Sequence, residues 1–298
     1  MYVLEITIQI AQKQIYKRIK MSINRMEFLE TAFGNLAYQK HGSGSEVSLL
    51  FHGFGQNLKA FDAFIPLKKP NETFLVFDLF YHGQSSWKSI NQKLTKEIWR
   101  SILIQLMEKE GFDRFHLIGY SMGGKFSLLT YELFPCHVKS LLLMAPDGIK
   151  TGFWYNMATF PGILNRLFKH VVFHPKRFFK TMEVLNRLGV LQSSLMKFVK
   201  SQMKTRTMRA QVYFTWNVFK PLRPDLGSII KMIRLNQSPI TLVTGKYDMM
   251  ITTSNLEKFS SKIAHLKTVE LECGHNTLIE ETAIYLKSFN DRNVGHSG

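Results

Sequence analysis

The 298-residue sequence predicts an α/β fold in which a mainly parallel sheet carries helices on both faces. Short apolar runs of strand length alternate with segments whose apolar residues recur at helical spacing, which is the pattern of a doubly wound sheet. Most of the strand-length runs are continuously apolar, as in strands buried on both faces. Hydrophobic residues make up 45% of the chain, enough for one large core with an inserted subdomain.

The first half of the chain predicts six strands and three helices. A β-hairpin is expected over Met26–Gln39, with its turn at Gly34-Asn35. The four further strands are Val47–Phe51, Thr73–Asp78, Phe115–Ile118 and Val138–Met144. The helices are Lys59–Leu67, Thr95–Glu110 and Lys125–Phe134.

The second half predicts a helical insertion followed by the end of the core. From Lys150 to about Asn236 the spacing stays helical without a clear strand run, which indicates a cap of about four helices. The core resumes with the strands Pro239–Thr244 and Lys267–Leu271 and with the helices Ser254–Ala264 and Thr277–Asn290. A capping box, Ser254-x-x-Glu257, is expected to open the first of these helices. The predicted domains are an extension (1–22), a core (23–148 and 237–290), a cap (149–236) and a polar tail (291–298).

The stretch His116–Lys125 holds Ser121 in the pattern G-x-S-x-G between a predicted strand and a predicted helix. Strand, sharp turn and helix form the context that a nucleophile elbow needs. Glycine at positions 119 and 123 leaves room for the neighbouring backbone, and Gly124 allows the helix to pack closely on the strand. The helix N-terminus offers free N–H groups and a positive dipole end to a developing oxyanion. Ser121 is therefore the candidate nucleophile.

A second motif, His52-Gly53-Phe54-Gly55, directly follows a predicted strand. In such a loop the N–H of Phe54 can point at the same spot as the N–H of Met122, and two converging donors would form an oxyanion hole. The alternative interpretation is an ordinary glycine turn. His52 and Gly53 are candidate substrate contacts. Asp78 and His82, in the loop after the next strand, are interpreted as tying loops together beside the site.

These motifs resemble the α/β-hydrolase superfamily over nearly all of residues 24–290. The motifs occur in the order that is typical of that family: the H-G-F-G loop, the D-L-F-Y-H-G-Q-S loop, the G-Y-S-M-G elbow, and late loops with Asp and His. The resemblance implies an eight-stranded sheet with the cap inserted after the sixth strand. It also implies that His275 is the general base for Ser121 and that Asp248 orients the imidazole.

Two residues offer alternatives to these assignments. Asp147 also follows a strand, and some relatives place the catalytic acid there, so it remains the rival of Asp248. Cys273 lies two residues before His275, but nothing beside it resembles an elbow, so its thiol is interpreted as structural.

The expected function is the hydrolysis of carboxylic esters of small to medium acyl chains through an acyl-enzyme, without a cofactor or metal. The resemblance extends to thioesterases and carbon–carbon hydrolases, which remain alternatives, as does a slow-turnover ligand-binding receptor. Dehalogenases and most epoxide hydrolases of this fold use an aspartate as the nucleophile. This chain has Ser121 at that position, which argues against both activities. Phe153, Trp154 and Met157 begin the predicted cap near the site and are candidate substrate contacts.

Positive charge is concentrated in the cap. The net charge of the chain is +17, and 16 basic residues but only two acidic ones lie between Lys150 and Arg234. This charge fits a solvated face, attraction of anionic substrates, or contact with an anionic membrane surface. No motif supports nucleic-acid binding.

The two cysteines form no disulfide framework, so a cytoplasmic location is expected. The motifs described above predict a small-molecule ester or acyl substrate as the binding partner.

Overall fold

The structure, a computed structural model, describes residues 25–149 and 203–294 together with positions 180, 183, 184 and 186. The predicted extension (1–22) and most of the predicted cap lie outside the described residues. The strands are β1 (Met26–Thr31), β2 (Gly34–His41), β3 (Glu46–Phe51), β4 (Glu72–Phe77), β5 (Ser86–Trp87), β6 (Phe115–Tyr120), β7 (Val138–Met144), β8 (Ile240–Gly245) and β9 (Lys267–Leu271). The helices are α1 (Lys96–Glu110), α2 (Met122–Leu133), α3 (Arg206–Phe219), α4 (Leu226–Asn236), α5 (Thr253–Ser260) and α6 (Leu278–Val294).

The described strands form one mostly parallel sheet in the order β1-β2-β4-β3-β6-β7-β8-β9, and the two-residue β5 pairs with β2. The pairs β1–β2 and β2–β4 are antiparallel. From β4 to β9 every neighbouring pair is parallel. The prediction of a mainly parallel eight-stranded sheet is confirmed, with the short β5 as an addition.

Because β3, β6, β7, β8 and β9 run in the same direction, their carboxyl ends meet at one edge of the sheet. The loops that leave this edge, together with the loop after β4, which is parallel to β3, carry the four motifs on which the resemblance rests. Ligands bind at this edge in open α/β sheets. The topology alone therefore gathers segments that lie up to about 220 residues apart in the chain.

Apolar side chains cover both faces of the sheet. On one face the core includes residues of α1, α2, α4 and α5, among them Trp99, Phe126 and Ile233. On the other face Phe61 and Phe64 pack with residues of α6. The prediction of helices on both faces is confirmed.

Three local predictions are wrong. The hairpin turn lies at 32–33, two residues before the predicted position, and the Thr31 hydroxyl accepts the N–H of Gly34 there. The predicted helix over Lys59–Leu67 consists of two 3₁₀ turns, Leu58–Phe61 and Ile65–Leu67, and the second contains Pro66, which has no N–H to continue a helix.

The third concerns the predicted capping box. The helix α5 begins one residue earlier than predicted, with Thr252 at its N-cap position, and no side chain caps it. The hydroxyl of Ser254 lies 2.9 Å from that of Thr252 instead of bonding a helical N–H. This helix also ends at Ser260 rather than at Ala264.

The described part of the predicted cap packs onto the core. Helix α4 places Ile229 and Ile233 in the same apolar cluster as Phe126 of α2. Helix α3 is held to the core by a hydrogen bond from the Leu94 N–H to the Val218 carbonyl, 3.0 Å. Residues on both sides of position 236, such as Ile233 and Ile240, belong to this same apolar cluster. The domain boundary at 236 therefore stays a prediction. Among the described helices, none has the length and apolar content needed to cross a bilayer.

Candidate active site

The elbow between β6 and α2 holds Ser121 in a strained conformation. Its backbone has φ 50° and ψ −117°, which L-residues rarely adopt. The Ser121 N–H donates to the Met144 carbonyl at 2.9 Å, and the Ser121 carbonyl accepts the Asp147 N–H at 2.8 Å. These two bonds join the backbone N–H and carbonyl of Ser121 to the end of β7 and to the loop after it, and they fix the turn.

The glycines of the elbow are required by close approach of the neighbouring backbone. A Cβ on Gly123 would lie 1.8 Å from the Phe51 carbonyl oxygen at the end of β3. A Cβ on Gly119 would lie 2.3 Å from the Ser127 hydroxyl, and one on Gly124 would lie 2.4 Å from Pro146. The sequence-based reason for glycine at these three positions therefore agrees with the packing.

The structure brings Ser121, His275 and Asp248 together. The Ser121 Oγ lies 3.1 Å from the His275 Nε2. The His275 Nδ1 lies 2.6 Å from the Asp248 Oδ2. The Asp248 carboxylate is fully buried, whereas the His275 side chain retains 12% exposure. A hydroxyl, an imidazole and a carboxylate are thus connected in one line, which is the arrangement that a nucleophile, its base and an orienting group require.

Backbone N–H groups hold Asp248 in place. Its Oδ1 accepts from the Met250 N–H at 2.8 Å and from the Ile251 N–H at 2.9 Å, which leaves Oδ2 for His275. The rival acid, Asp147, is directed elsewhere. Its Oδ1 accepts the Gly148 N–H at 2.8 Å, and its Oδ2 lies 3.8 Å from the Lys125 Nζ. Of the two candidate acids, Asp248 alone is bonded to the imidazole of His275.

Tyr120 supports His275 from the elbow itself. Its hydroxyl donates to the His275 carbonyl at 2.6 Å, and the two rings pack with their centroids 5.0 Å apart. Burial raises the pKa of Tyr120, so the hydroxyl stays protonated and remains a donor. The sequence does not indicate this contact, although Tyr120 occupies the first variable position of the elbow motif.

The H-G-F-G loop is fixed by two buried histidines. The His52 Nδ1 lies 2.7 Å from the Gly53 carbonyl, and its Nε2 accepts the Leu79 N–H at 3.1 Å. The His82 Nδ1 lies 3.0 Å from the Phe80 carbonyl, and its Nε2 accepts the Gly55 N–H at 3.1 Å. Burial lowers the pKa of His52 to about 4 and that of His82 to about 3, so both rings are neutral at pH 7.

This geometry corrects one predicted substrate contact. The His52 ring is completely buried and both of its nitrogens are bonded to the backbone, so it presents no atom to a ligand. The neighbouring Gly53 approaches the ring of Tyr120 so closely that a Cβ would lie 2.7 Å from it. The N–H of Gly53 donates to the Gln56 side chain at 3.0 Å.

Asp78 links the loops as the sequence suggests. Its carboxylate accepts the Leu58 N–H and the Gln84 N–H, each at 2.8 Å. Gly83, with φ 51°, lies so close to this carboxylate that a Cβ would overlap it. Asp78 and His82 therefore hold the loops after β3 and β4 together.

The two candidate oxyanion donors leave their N–H groups open. Among the residues that the structure describes, no acceptor bonds the N–H of Phe54 or that of Met122. Met122 is the first residue of α2, where helix geometry leaves the N–H without an intrahelical partner. Both donors follow carboxyl ends of neighbouring parallel strands, β3 and β6.

Helix α3 covers the H-G-F-G loop and the loop after β4. The Gln211 side chain donates to the Tyr81 carbonyl at 2.7 Å, and Phe214 stacks on the Tyr81 ring with centroids 5.8 Å apart. The rings of Trp216 and Phe54 have their centroids 6.3 Å apart. These α3 residues carry no sequence signal that links them to the site, because only tertiary packing places them there. The predicted contacts Phe153, Trp154 and Met157 lie outside the described residues.

Within the described segments, no group of three or more His, Cys, Asp or Glu side chains is arranged to hold a metal ion. Cys273 is buried, and burial raises the pKa of its thiol. It is not bonded to His275, whose ring nitrogens face Asp248 and Ser121.

A parallel sheet with a serine on a strand–elbow–helix turn defines the class of α/β hydrolases. The comparison with known families agrees, since the profile described as alpha/beta hydrolase fold matches residues 49–282. This chain belongs to the alpha/beta hydrolase family.

Two of the curated proteins that this chain resembles have names that place them among the hydrolases. A Mycoplasma genitalium protein with a provisional esterase/lipase designation is 27% identical over 184 residues, which cover 61% of this chain and 64% of that protein. A human serine hydrolase-like protein is 29% identical over 118 residues, 39% of this chain and 58% of that protein. The chain spans less than two thirds of the length of these curated relatives.

Solved structures share the fold at low sequence identity. A thermophilic esterase from Thermogutta terrifontis superposes with a TM-score of 0.65 at 16% identity, covering 91% of this chain and 98% of that one. This likeness extends the fold assignment over most of the chain and carries no further argument about chemistry.

Proposed function

We propose that this protein is a serine hydrolase that cleaves carboxylic esters through Ser121, His275 and Asp248. One observation carries the proposal: the hydroxyl of Ser121, the imidazole of His275 and the carboxylate of Asp248 are connected by contacts of 3.1 and 2.6 Å. The esterase/lipase designation of the Mycoplasma genitalium relative supports esters as the substrate class.

Acylation begins when the Ser121 Oγ attacks the ester carbonyl carbon and its proton moves to the His275 Nε2. Asp248 accepts the Nδ1–H of the ring, which keeps Nε2 free as the base and stabilises the imidazolium. The N–H groups of Phe54 and Met122 are the proposed donors to the oxyanion. When the tetrahedral intermediate collapses, His275 returns the proton to the alcohol oxygen, and the alcohol leaves.

Deacylation repeats these steps with water. His275 takes a proton from the water molecule, whose oxygen attacks the acyl carbonyl, and the same oxyanion donors stabilise the second intermediate. Collapse releases the carboxylic acid and returns the proton to the Ser121 Oγ. No cofactor enters either half of this cycle.

The test is hydrolysis of a p-nitrophenyl ester series, from acetate to palmitate, by wild type, Ser121→Ala and Ser127→Ala. Ser127 is the matched control, because its buried hydroxyl lies on the same helix and is six residues from the nucleophile. We expect turnover that peaks at one chain length in wild type, persists in Ser127→Ala and disappears in folded Ser121→Ala.

A fluorophosphonate probe supplies an independent measurement, since it should attach covalently to Ser121 and be located there by mass spectrometry. Absence of hydrolysis at every chain length, together with absence of labelling, would reject the proposal. Ligand binding by such an inactive wild type would instead favour a receptor on the hydrolase scaffold.

A further inference from the structure

A small cavity lies beside the elbow, bordered by the first turns of α2, the loop after β7 and the loop between α3 and α4. Its volume is about 230 Å³. Three of the residues that line it are charged: Lys125, Asp147 and Arg223. The others are Gly148, Ile149, Leu222, Pro224 and Leu226.

Two of the charged side chains in this cavity face each other. Lys125 and Arg223 are cations, and Asp147 is the single carboxylate among the lining residues. The Lys125 side chain is only 6% exposed, and its Nζ lies 3.8 Å from the Asp147 Oδ2. Burial, together with the nearby charge of Arg223, lowers the pKa of Lys125, whereas Asp147 opposes this shift. Arg223 adds a further positive charge to the lining.

The backbone keeps the cavity open and ties its wall to the elbow. Gly148 has φ 95°, and a Cβ there would lie 3.1 Å from both the Lys125 stem and Pro224. The N–H of Asp147 donates to the Ser121 carbonyl, so the cavity wall is bonded directly to the elbow. The Leu222, Pro224 and Leu226 side chains give the rest of the wall an apolar character.

We propose that this cavity binds a carboxylate group. The positive charge of Arg223 suits a monoanion, while a dianionic phosphate would be repelled more strongly by Asp147. The guanidinium of Arg223 offers the planar pair of donors that a carboxylate accepts. Arg223 is an exposed residue, and no acidic side chain within the described residues forms an ion pair with it.

The carboxylate has two possible sources. It is either a part of the ester substrate, which rests on the proposed function, or a free carboxylate that binds beside the elbow. A substrate that carries it would be an ester of a dicarboxylic acid or a comparable anionic ester. The two sources predict different kinetics.

The first experiment compares p-nitrophenyl hydrogen glutarate with p-nitrophenyl valerate, which has the same acyl length without the terminal charge. If the substrate carries the carboxylate, wild type prefers the glutarate ester, and Arg223→Gln lowers its kcat/KM about tenfold while leaving that of valerate unchanged. Arg223→Lys should restore part of the preference. Arg234→Gln, an exposed arginine of α4, is the matched control and should keep it.

The second experiment measures binding of sodium glutarate by calorimetry, with uncharged glutaramide as the comparison. A free carboxylate would bind wild type, not Arg223→Gln, and would give no preference between the two esters. Absence of both the ester preference and the binding, or equal results in wild type and Arg223→Gln, would overturn the proposal. Because calorimetry needs no turnover, failure of the proposed hydrolase activity remains distinguishable from failure of the carboxylate site.

Discussion

Histidines at the carboxyl edge of the sheet meet two different environments. The Nδ1 of His275 faces the carboxylate of Asp248, and its Nε2 faces the Ser121 hydroxyl. His52 and His82 place Nδ1 against peptide carbonyls and use Nε2 to accept peptide N–H groups. Burial at the sheet edge therefore does not make a histidine a base. The partners of its two nitrogens decide whether the ring can take a proton.

The two aspartates of these loops differ in a similar way. Asp248 and Asp78 each accept two backbone N–H groups. Only Asp248 has its second oxygen within 2.6 Å of an imidazole nitrogen. Asp248 is thus bonded to the imidazole of His275, as the proposed proton transfer requires, whereas Asp78 is bonded only to the backbone of the loops that it holds together.

The same substitution at the two kinds of histidine tests this difference most strongly. We expect His275→Gln to lower kcat on a p-nitrophenyl ester by roughly 10³-fold or more without loss of stability, because it removes the base. His82→Gln should keep kcat within about tenfold but cost about 1–3 kcal/mol of unfolding free energy, because glutamine has no polar atom at the position of Nδ1 and the buried Phe80 carbonyl loses its donor. Steady-state kinetics and urea unfolding measure both effects. Equal losses of kcat in the two variants would contradict the comparison.

Substitution of the two rival acids gives the next largest effect. Asp248→Asn should lower kcat by roughly 10²- to 10⁴-fold, since an amide favours the wrong imidazole tautomer. Asp147→Asn should change kcat on a neutral ester by about tenfold or less, since its carboxylate faces Lys125. A larger loss of kcat in Asp147→Asn than in Asp248→Asn would return the acid role to Asp147.

The neutral histidines also predict how stability depends on pH. Burial lowers the pKa of His52 to about 4 and that of His82 to about 3, below the ordinary value of 6.5. The unfolded chain therefore binds more protons below pH 6.5, and the unfolding free energy should fall between pH 7 and pH 5. Each histidine contributes a slope of at most about 1.4 kcal/mol per pH unit. Urea unfolding at pH 7, 6 and 5 measures it, and His82→Gln should show a shallower slope.

The smallest effect is expected at Cys273. Burial raises the pKa of its thiol, so the group stays protonated and unreactive at neutral pH. Cys273→Ala should change kcat by about twofold or less, in line with a residue outside the proton path. Iodoacetamide should leave wild-type turnover unchanged. Rapid inactivation by this reagent, lost in Cys273→Ala, would show that the loop of His275 is more open than its hydrogen bonds indicate.

Much of this site could be predicted from the sequence because its signals are local. The glycines around Ser121 reflect contacts that any elbow of this geometry requires, and strand-length apolar runs set the order of the loops. The bonds of His52 to Leu79 and of Gln211 to Tyr81 could not be predicted, since they join segments that only the tertiary fold brings together. The misplaced hairpin turn and the 3₁₀ turns had a different cause. There, Thr31 and Pro66 outweighed the weaker glycine and helix-spacing signals.

The backbone of Ser121 sets a compromise between folding and activity. A residue held at φ 50° and ψ −117° costs about 1–3 kcal/mol, and glycine relieves that cost while losing about 0.5–1 kcal/mol to greater freedom in the unfolded chain. Ser121→Gly should therefore be inactive yet at least as resistant to urea as wild type. Selection for stability alone would remove the serine from this turn. A serine at this strained position is what the proposed role of its hydroxyl would require.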